Sequence, residues 1–273
     1  MIEMNWHAVL LERPLFLDCG NPAKILDAFR AKLIQGVTTN PSLLYREGGF
    51  GSHREIHQAL LQLCEELRDP AYGGPIPISL EIDIDPDNPL SVEEIVNEGR
   101  RLRSVFGDNV VVKIPVSPLH CFDAMQMLST DGVPINATLI ARWEQAVFAA
   151  KHGAMYVSPF LGRIDDLRIS GFNGMNLLQQ IVENFEDNGI APDQTKILAT
   201  SIRSVVQTAT AFAGGADIVT VPWDVLRSIC DNEWNYSKDT ASEHPSSPVN
   251  LKHPVTEAGL LRFHLDFQKI PHK

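Results

Sequence analysis

The chain has 273 residues, 44% of them apolar, and a formal net charge of −11. That is enough apolar material for a sizeable core, and the charge argues against nucleic acid as a partner. No stretch approaches the roughly 18 continuous apolar residues of a membrane span, and the N-terminal MIEMNWHAVLLERPLFLDCG, broken at Glu12-Arg13-Pro14, lacks the order of a signal peptide.

Short apolar runs then alternate with longer amphipathic stretches. PLFLDC (14–19) reads as a strand ending in Asp18, NPAKILDAFRAKL (21–33) as a helix, and GVTTN (36–40) as a β-branched strand running into a turn. The polar, Gly-rich REGGFGSHRE leads into the helical IHQALLQLCEEL, and IPISLEIDI (76–84) is the next strand. SVEEIVNEGRRLRSVF (91–106) has helical spacing, with Ser91 and Glu94 matching a capping box. Strands 109–114, 133–138, 154–158, 195–199 and 216–221 alternate with helices 120–129, 141–152, 174–187 and 203–213. The polar, Pro- and Ser-rich segment 231–252 reads as a surface connection to a last helix, 256–269.

Eight strand candidates separated by helices, apolar throughout, imply a parallel sheet covered by helices. In a chain near the ~250 residues typical of such barrels they imply a closed (β/α)8, or TIM, barrel. Residues 1–230 form this barrel, and residues 231–273 a polar linker and a C-terminal helix that packs on the barrel or on a neighbour. Cys19, Cys64, Cys121 and Cys230 are far apart, with no C-x-x-C. A disulfide framework or zinc site is disfavoured, and a reducing cytoplasm fits best.

In a barrel, chemistry collects at the C-terminal strand ends. The polar residues there are Asp18, Thr38, Asn40, Glu81, Lys113, Asn136, Thr138, Ser158 and Ser201. Any one of them could be a strand cap or a satisfied inward polar group; nine together call for a site. Lys113, after three valines in NVVVKIPVSP, is the sharpest case. It is either paired with Glu81 or Asp18, or snorkelling to the barrel mouth, or a nucleophile, since a dry site favours the neutral amine that attacks a ketone. Glu81 and Asp18, on different strands, could divide the proton transfers of imine chemistry, or simply neutralise the lysine. Asn40 and Asn136 could hold substrate hydroxyls or serve turns. Arg163 in SPFLGRIDD and Arg203 in TSIRS follow strands and could fork a phosphate, with the Ser201 hydroxyl and helix N-terminal N–H groups as further donors. Alternatively, Arg163 pairs with Asp165 or Asp166 at the surface. Such local arginines would have to hold an anion against the overall field. His53 and His57, four apart in HREIH, lack metal-site partners and read as a solvated helix face. Trp143 and Trp223 read as packing residues.

Together, GVTTNPSLL (36–44), VVVKIP (110–115), INATLI (135–140), YVSPFLGRIDD (156–166) and LATSIRS (198–204) resemble the transaldolase family, whose fold the fructose-6-phosphate aldolases share. The resemblance runs over residues 14–228, and HPVTEAGLLRFHLDFQK (253–269) resembles the C-terminal helix of shorter members. It implies that Lys113 is the Schiff-base lysine and Asp18 the acid/base at the C4 hydroxyl. Glu81 would work through a water, with Thr138 beside it. Thr38, Asn40, Asn136 and Ser158 would line the site, the asparagines holding the dihydroxyacetone part, and Arg163, Ser201 and Arg203 would form the phosphate site. No metal or organic cofactor is implied; the partners are sugar phosphates, as in the pentose phosphate pathway. Glu81 and Phe160 stand where the aldolases resembling this pattern carry Gln and Tyr, which favours transfer over aldol release. Four features depart from the family pattern: Asp18-Cys19-Gly20 for Asp-Thr/Ser-Ala, Thr200 for Ala, VSPLHCF after the Lys113 strand where Glu-Gly is usual, and Trp223 in VPWDVL. They leave open a specialised phosphosugar transaldolase, beside two rival readings: an aldolase releasing a free ketone, and a degenerate barrel that only binds phosphosugars.

Overall fold

The computed structural model describes residues 10, 12–231 and 253–271. The segment read as a surface connection therefore lies, from residue 232 to 252, outside the described residues. The chain alternates β1 (Leu15–Asp18), α1 (Pro22–Arg30), β2 (Gly36–Thr38), α2 (Pro41–Glu47), α3 (His53–Glu66), β3 (Ile78–Glu81), α4 (Val92–Phe106), β4 (Val110–Pro115), α5 (Cys121–Thr130) and β5 (Ile135–Ile140). It continues with α6 (Trp143–Lys151), β6 (Tyr156–Pro159), α7 (Leu161–Asp166), α8 (Gly174–Asp187), β7 (Lys196–Ala199), α9 (Val205–Ala213), β8 (Ile218–Pro222), α10 (Trp223–Cys230) and α11 (Pro254–Gln268).

Every strand pairs in parallel with its sequence neighbours, and β8 pairs with β1, closing an eight-stranded barrel. This is the (β/α)8 barrel expected from the strand–helix alternation. The helices form where side chains satisfy their first N–H groups: Asn21, Ser52 and Ser204 each accept from a backbone N–H of the helix they precede. Ser91 and Glu94 make the expected capping box. No described helix is long and apolar enough to cross a membrane.

Three short helices, α2, α7 and α10, were not anticipated. They span 7, 6 and 8 residues, too few turns for a helical period to register. The third strand, expected over 76–84, is confined to Ile78–Glu81.

The barrel interior explains why polar residues end apolar strands. Side chains at i and i+2 share a strand face. Phe16, Val111, Tyr156, Leu198 and Ile218 form a buried apolar cluster apart from the main core, with Phe16 and Tyr156 edge to face at 5.9 Å. Gly36 makes room for it, since a Cβ there would stand 2.4 Å from the Phe16 ring. Two residues further along these strands stand Asp18, Lys113, Ser158, Thr200 and Thr220, with Thr38 above Gly36. An apolar plug thus carries a polar layer on the side where the strands end.

Gly20 meets a different demand. A Cβ there would lie 2.3 Å from the backbone carbonyl of Leu43, so the loop after β1 can cross α2 only with glycine. Gly20→Ala should cost about 1–3 kcal/mol. Thermal unfolding should then begin several degrees lower, at about 2–4 °C per kcal/mol for a chain of this size; an unchanged melting curve would contradict the packing described.

Candidate active site

The polar layer opens into a pocket of about 220 Å³ at the strand ends. Of the residues singled out in the sequence, Asp18, Thr38, Asn40, Lys113, Phe160, Arg163, Thr200, Ser201 and Arg203 line it. Glu81, Asn136, Thr138 and Ser158 do not. Asn136, Thr138 and Ser158 are fully buried in the barrel, and the Glu81 side chain is 2% exposed.

Lys113 is 3% exposed. The β3–β4 register sets Glu81 directly beside it, and Nζ lies 2.9 Å from Glu81 Oε2. Nζ also donates to the Thr39 carbonyl at 2.9 Å. Burial raises the Glu81 pKa to about 6, against the lowering effect of Lys113. Asp18 accepts from Thr38 Oγ1 at 2.7 Å, and that hydroxyl contacts Thr220 Oγ1 at 2.8 Å. The Asp18 pKa is also raised, because desolvation outweighs the attraction of Lys113.

Behind the lysine, Asn136 donates to Ser79 Oγ at 3.0 Å and accepts from Ser158 Oγ at 2.7 Å. Ser158 and Asn136 therefore orient one another. Thr138 Oγ1 is buried with no hydrogen-bond partner among the described residues. Asn40 serves the turn as well as the pocket: its Oδ1 caps α2 through Leu43 N at 2.9 Å, which leaves its amide NH2 for other acceptors.

Arginines also line the pocket. Arg163 does not pair with Asp165 or Asp166. Its guanidinium lies 4.9 Å from the Phe160 ring and 5.0 Å from the Phe263 ring. Burial and then the nearby Arg262 lower its pKa to about 10, against Glu81 and Asp18. Asp166 is taken by Arg203 at 2.9 Å, with both side chains exposed. Ser201 holds a left-handed backbone (φ 61°), which is rare for a residue with a Cβ. Its carbonyl would be 2.1 Å from a Cβ on Gly162, so glycine there lets the start of α7 touch the loop after β7.

Sequence reasoning missed the contribution of α11. This helix crosses the barrel mouth, and Arg262 and Phe263 line the pocket. Thr256 donates to the Leu139 carbonyl at 2.6 Å, and Ser117 to Glu257 at 2.7 Å. His264 Nδ1 sits 3.1 Å from Asp83 Oδ2, and Ser42 donates to Asp266. α11 is thereby tied to segments following β2, β3 and β4 and to β5. The sequence shows the helix itself, but carries no signal for which of its side chains reach a pocket whose lysine lies more than 140 residues away. Thr220 was legible in principle, as the polar residue in the run IVTVP.

Three of the departures acquire a structural role. Cys19 is buried, 3.4 Å from Glu47 Oε2, with its thiol pushed up by burial to about 12. Thr200 donates to the Pro159 carbonyl at 2.8 Å, joining the ends of β6 and β7. Ser117, in the segment after β4, holds α11. Trp223 does not line the pocket; it packs against the core, with Lys24 Nζ 5.8 Å from its ring centroid. Trp143 packs there too. His53 and His57 diverge, one ring against Phe267 and the other against Phe106. Among the described residues no group of three or more His, Cys, Asp or Glu is placed to hold a metal.

The profile of the family described as Transaldolase/Fructose-6-phosphate aldolase matches residues 15–272. A probable transaldolase of Desulfitobacterium hafniense is 37% identical over 254 residues, covering 93% of this chain and 98% of that one. A probable transaldolase of Caldicellulosiruptor saccharolyticus is 36% identical over 260 residues, covering 95% and 99%. A third, from Bacillus cereus and called probable transaldolase 1, is 34% identical over 258 residues, covering 94% and 99%. With a match over nearly its whole length, a closed barrel and a buried lysine at the strand ends, the chain belongs to the transaldolase/fructose-6-phosphate aldolase family.

Proposed function

We propose that the protein is a transaldolase that moves a dihydroxyacetone unit from a ketose phosphate to an aldose phosphate through an imine on Lys113. The observation that carries this reading is the placement of Lys113. It is a buried amine reaching a pocket, within 2.9 Å of a carboxylate of raised pKa, with a second carboxylate, Asp18, and arginines on the pocket wall.

The chemistry follows from these groups. Lys113 must lose a proton before it can attack a ketone, and Glu81 is the neighbouring acceptor, directly or through a water. The Thr138 hydroxyl is the second group suited to that water. The amine adds to the C2 carbonyl of the ketose, and loss of water gives the iminium. Asp18 takes the C4 hydroxyl proton; the C3–C4 bond breaks, its electron pair flows into the iminium, and an aldose phosphate leaves. Carbon arithmetic makes that product a three-carbon aldose from fructose 6-phosphate and a four-carbon one from sedoheptulose 7-phosphate. The enamine on Lys113 attacks the carbonyl of the incoming aldose phosphate, Asp18 returns the proton, and hydrolysis frees the new ketose. Asn40 and Asn136 hold hydroxyls of the dihydroxyacetone part, and Arg163, Arg203 and Ser201 take the phosphate.

Phe160 favours transfer over release. Its ring faces the Arg163 guanidinium and has no hydroxyl to organise a water that protonates the enamine. The bound enamine therefore waits for an aldehyde.

Incubation of the enzyme with fructose 6-phosphate and a four-carbon aldose phosphate should yield a seven-carbon ketose phosphate. Without acceptor, turnover should stop near one equivalent. Continuous release of free dihydroxyacetone would make it an aldolase, and no cleavage at all would make it a binder. Lys113→Ala should lower kcat/KM by at least about a thousandfold; full activity in that variant would refute the mechanism.

The acid side of the pH profile reports Glu81. As pH falls through about 6, Glu81 takes up a proton and can no longer accept one from Lys113. The rate of imine formation should therefore decline below that pH. In Glu81→Gln the remaining activity should be lower and should lack this acid limb. Persistence of the same limb in the variant would assign it to another group.

A further inference from the structure

The C-terminal helix brings a further guanidinium to a pocket that the rest of the chain already lines with three. Arg262 lines the pocket with Arg46, Arg163 and Arg203. Gly259, one turn earlier, permits the approach, since a Cβ there would stand 2.6 Å from Arg163 Nη1 and 2.6 Å from Leu139 Cδ2. The register of the helix is fixed on the other side by His264, held at 3.1 Å from Asp83.

The charges at this mouth are poorly balanced. The carboxylate beside Arg262, Asp266, is 3.9 Å away and already accepts from Ser42 and Lys269. Arg203 has Asp166, in an exposed pair. Arg163 has aromatic faces and, among the described residues, no ion pair. Four arginines line the pocket against two carboxylates, Asp18 and Glu47, and the like charges repel each other. They stand in a chain whose net charge is −11, so scattered surface charge does not account for them. Planar guanidinium forks match the oxygens of a phosphate, and an anion bound among them relieves the repulsion.

We propose that Arg262 is a third phosphate-binding arginine, delivered by the C-terminal helix, and that it sets the preference for ketoses bearing a terminal phosphate. The inference rests on the reading of the pocket as a sugar-phosphate site and adds a residue from outside the barrel strands and their loops. It gives α11 a direct part in specificity. The lysine, the two carboxylates and the remaining arginines come from the barrel; α11 supplies the last charge and, through Phe263, a cover over Arg163.

The Arg262 side chain is 54% exposed, so its replacement leaves the core packing untouched. The test compares wild type, Arg262→Gln, Arg262→Lys and, as a charge control, Arg101→Gln, whose arginine pairs with Glu98 on α4. Binding of inorganic phosphate is measured by calorimetry, which needs no turnover, and KM and kcat are measured with fructose 6-phosphate. Arg262→Gln should weaken phosphate binding by roughly tenfold or more, the usual scale for a hydrogen bond to a charged group. KM should rise by a similar factor while kcat changes much less. Arg262→Lys should fall between the two, and Arg101→Gln should match wild type. Equal phosphate affinity in Arg262→Gln and wild type would overturn the inference and leave the role of Lys113 standing. Equal losses in Arg262→Gln and Arg101→Gln would also overturn it, because only net charge would then be at work. A wild-type protein that binds no phosphate would overturn the phosphate site itself, whatever the variants do.

Discussion

The site depends on one buried ion pair, Lys113 with Glu81, set side by side by the register of two neighbouring parallel strands. Such a pair is expensive to bury, and an apolar pair of similar size is often as stable. Its cost is visible in Glu81. The folded protein holds that proton more tightly than the unfolded chain, with a pKa moved from 4.5 to about 6. The stability this contributes is fully present below the unfolded value and is lost as pH rises through about 6. At neutral pH the folded state forgoes about 2 kcal/mol relative to acid. A pair with that penalty makes sense where the proton has to move, and imine formation and hydrolysis both require it.

The rest of the barrel serves to keep this pair dry and in place. The apolar plug of Phe16, Val111, Tyr156, Leu198 and Ile218 closes the interior below. The Ser79–Asn136–Ser158 chain supplies hydrogen bonds beside the lysine without adding charge. Above, α11 closes over the strand ends. Its ties run to segments after β2, β3 and β4 and to β5, so the helix reports on the position of half the strand ends at once. The pocket wall carries both signs, Lys113 and four arginines with Asp18 and Glu47, and Glu81 lies buried beside the lysine. That combination fits the proposed substrate, whose carbonyl calls for an amine and whose phosphate calls for cations placed locally against the negative field of the chain as a whole.

The architecture was readable because its signals are local. Apolar runs of strand length, each ending in a polar residue and followed by an amphipathic stretch, leave few topologies besides a barrel, and caps such as Asn21 and Ser91 marked where helices begin. Boundaries and short helices were not readable: α7, at six residues, completes fewer than two turns, and β3 stops well inside its apolar run. In the site, residues on strands were legible because a polar side chain in an apolar run stands out; Lys113, Glu81 and Asp18 are of this kind. The division between pocket-lining residues and buried supports was not, since it depends on which strand ends stand higher in the closed barrel. Arg262 and Phe263 were invisible for another reason. On a helix of mixed polarity they look like any surface residue, and only the path of the chain across the barrel mouth brings them to Arg163.

The account stands or falls on whether Lys113 becomes covalently bound to substrate. Borohydride added during incubation with fructose 6-phosphate reduces any imine to a stable amine, which intact mass and peptide mapping then locate. The account predicts a dihydroxyacetone-sized adduct on Lys113, absent from Lys113→Ala. A folded protein that gains no adduct across a panel of ketose phosphates, or one modified at another lysine, would contradict it and leave Lys113 as a structural partner of Glu81.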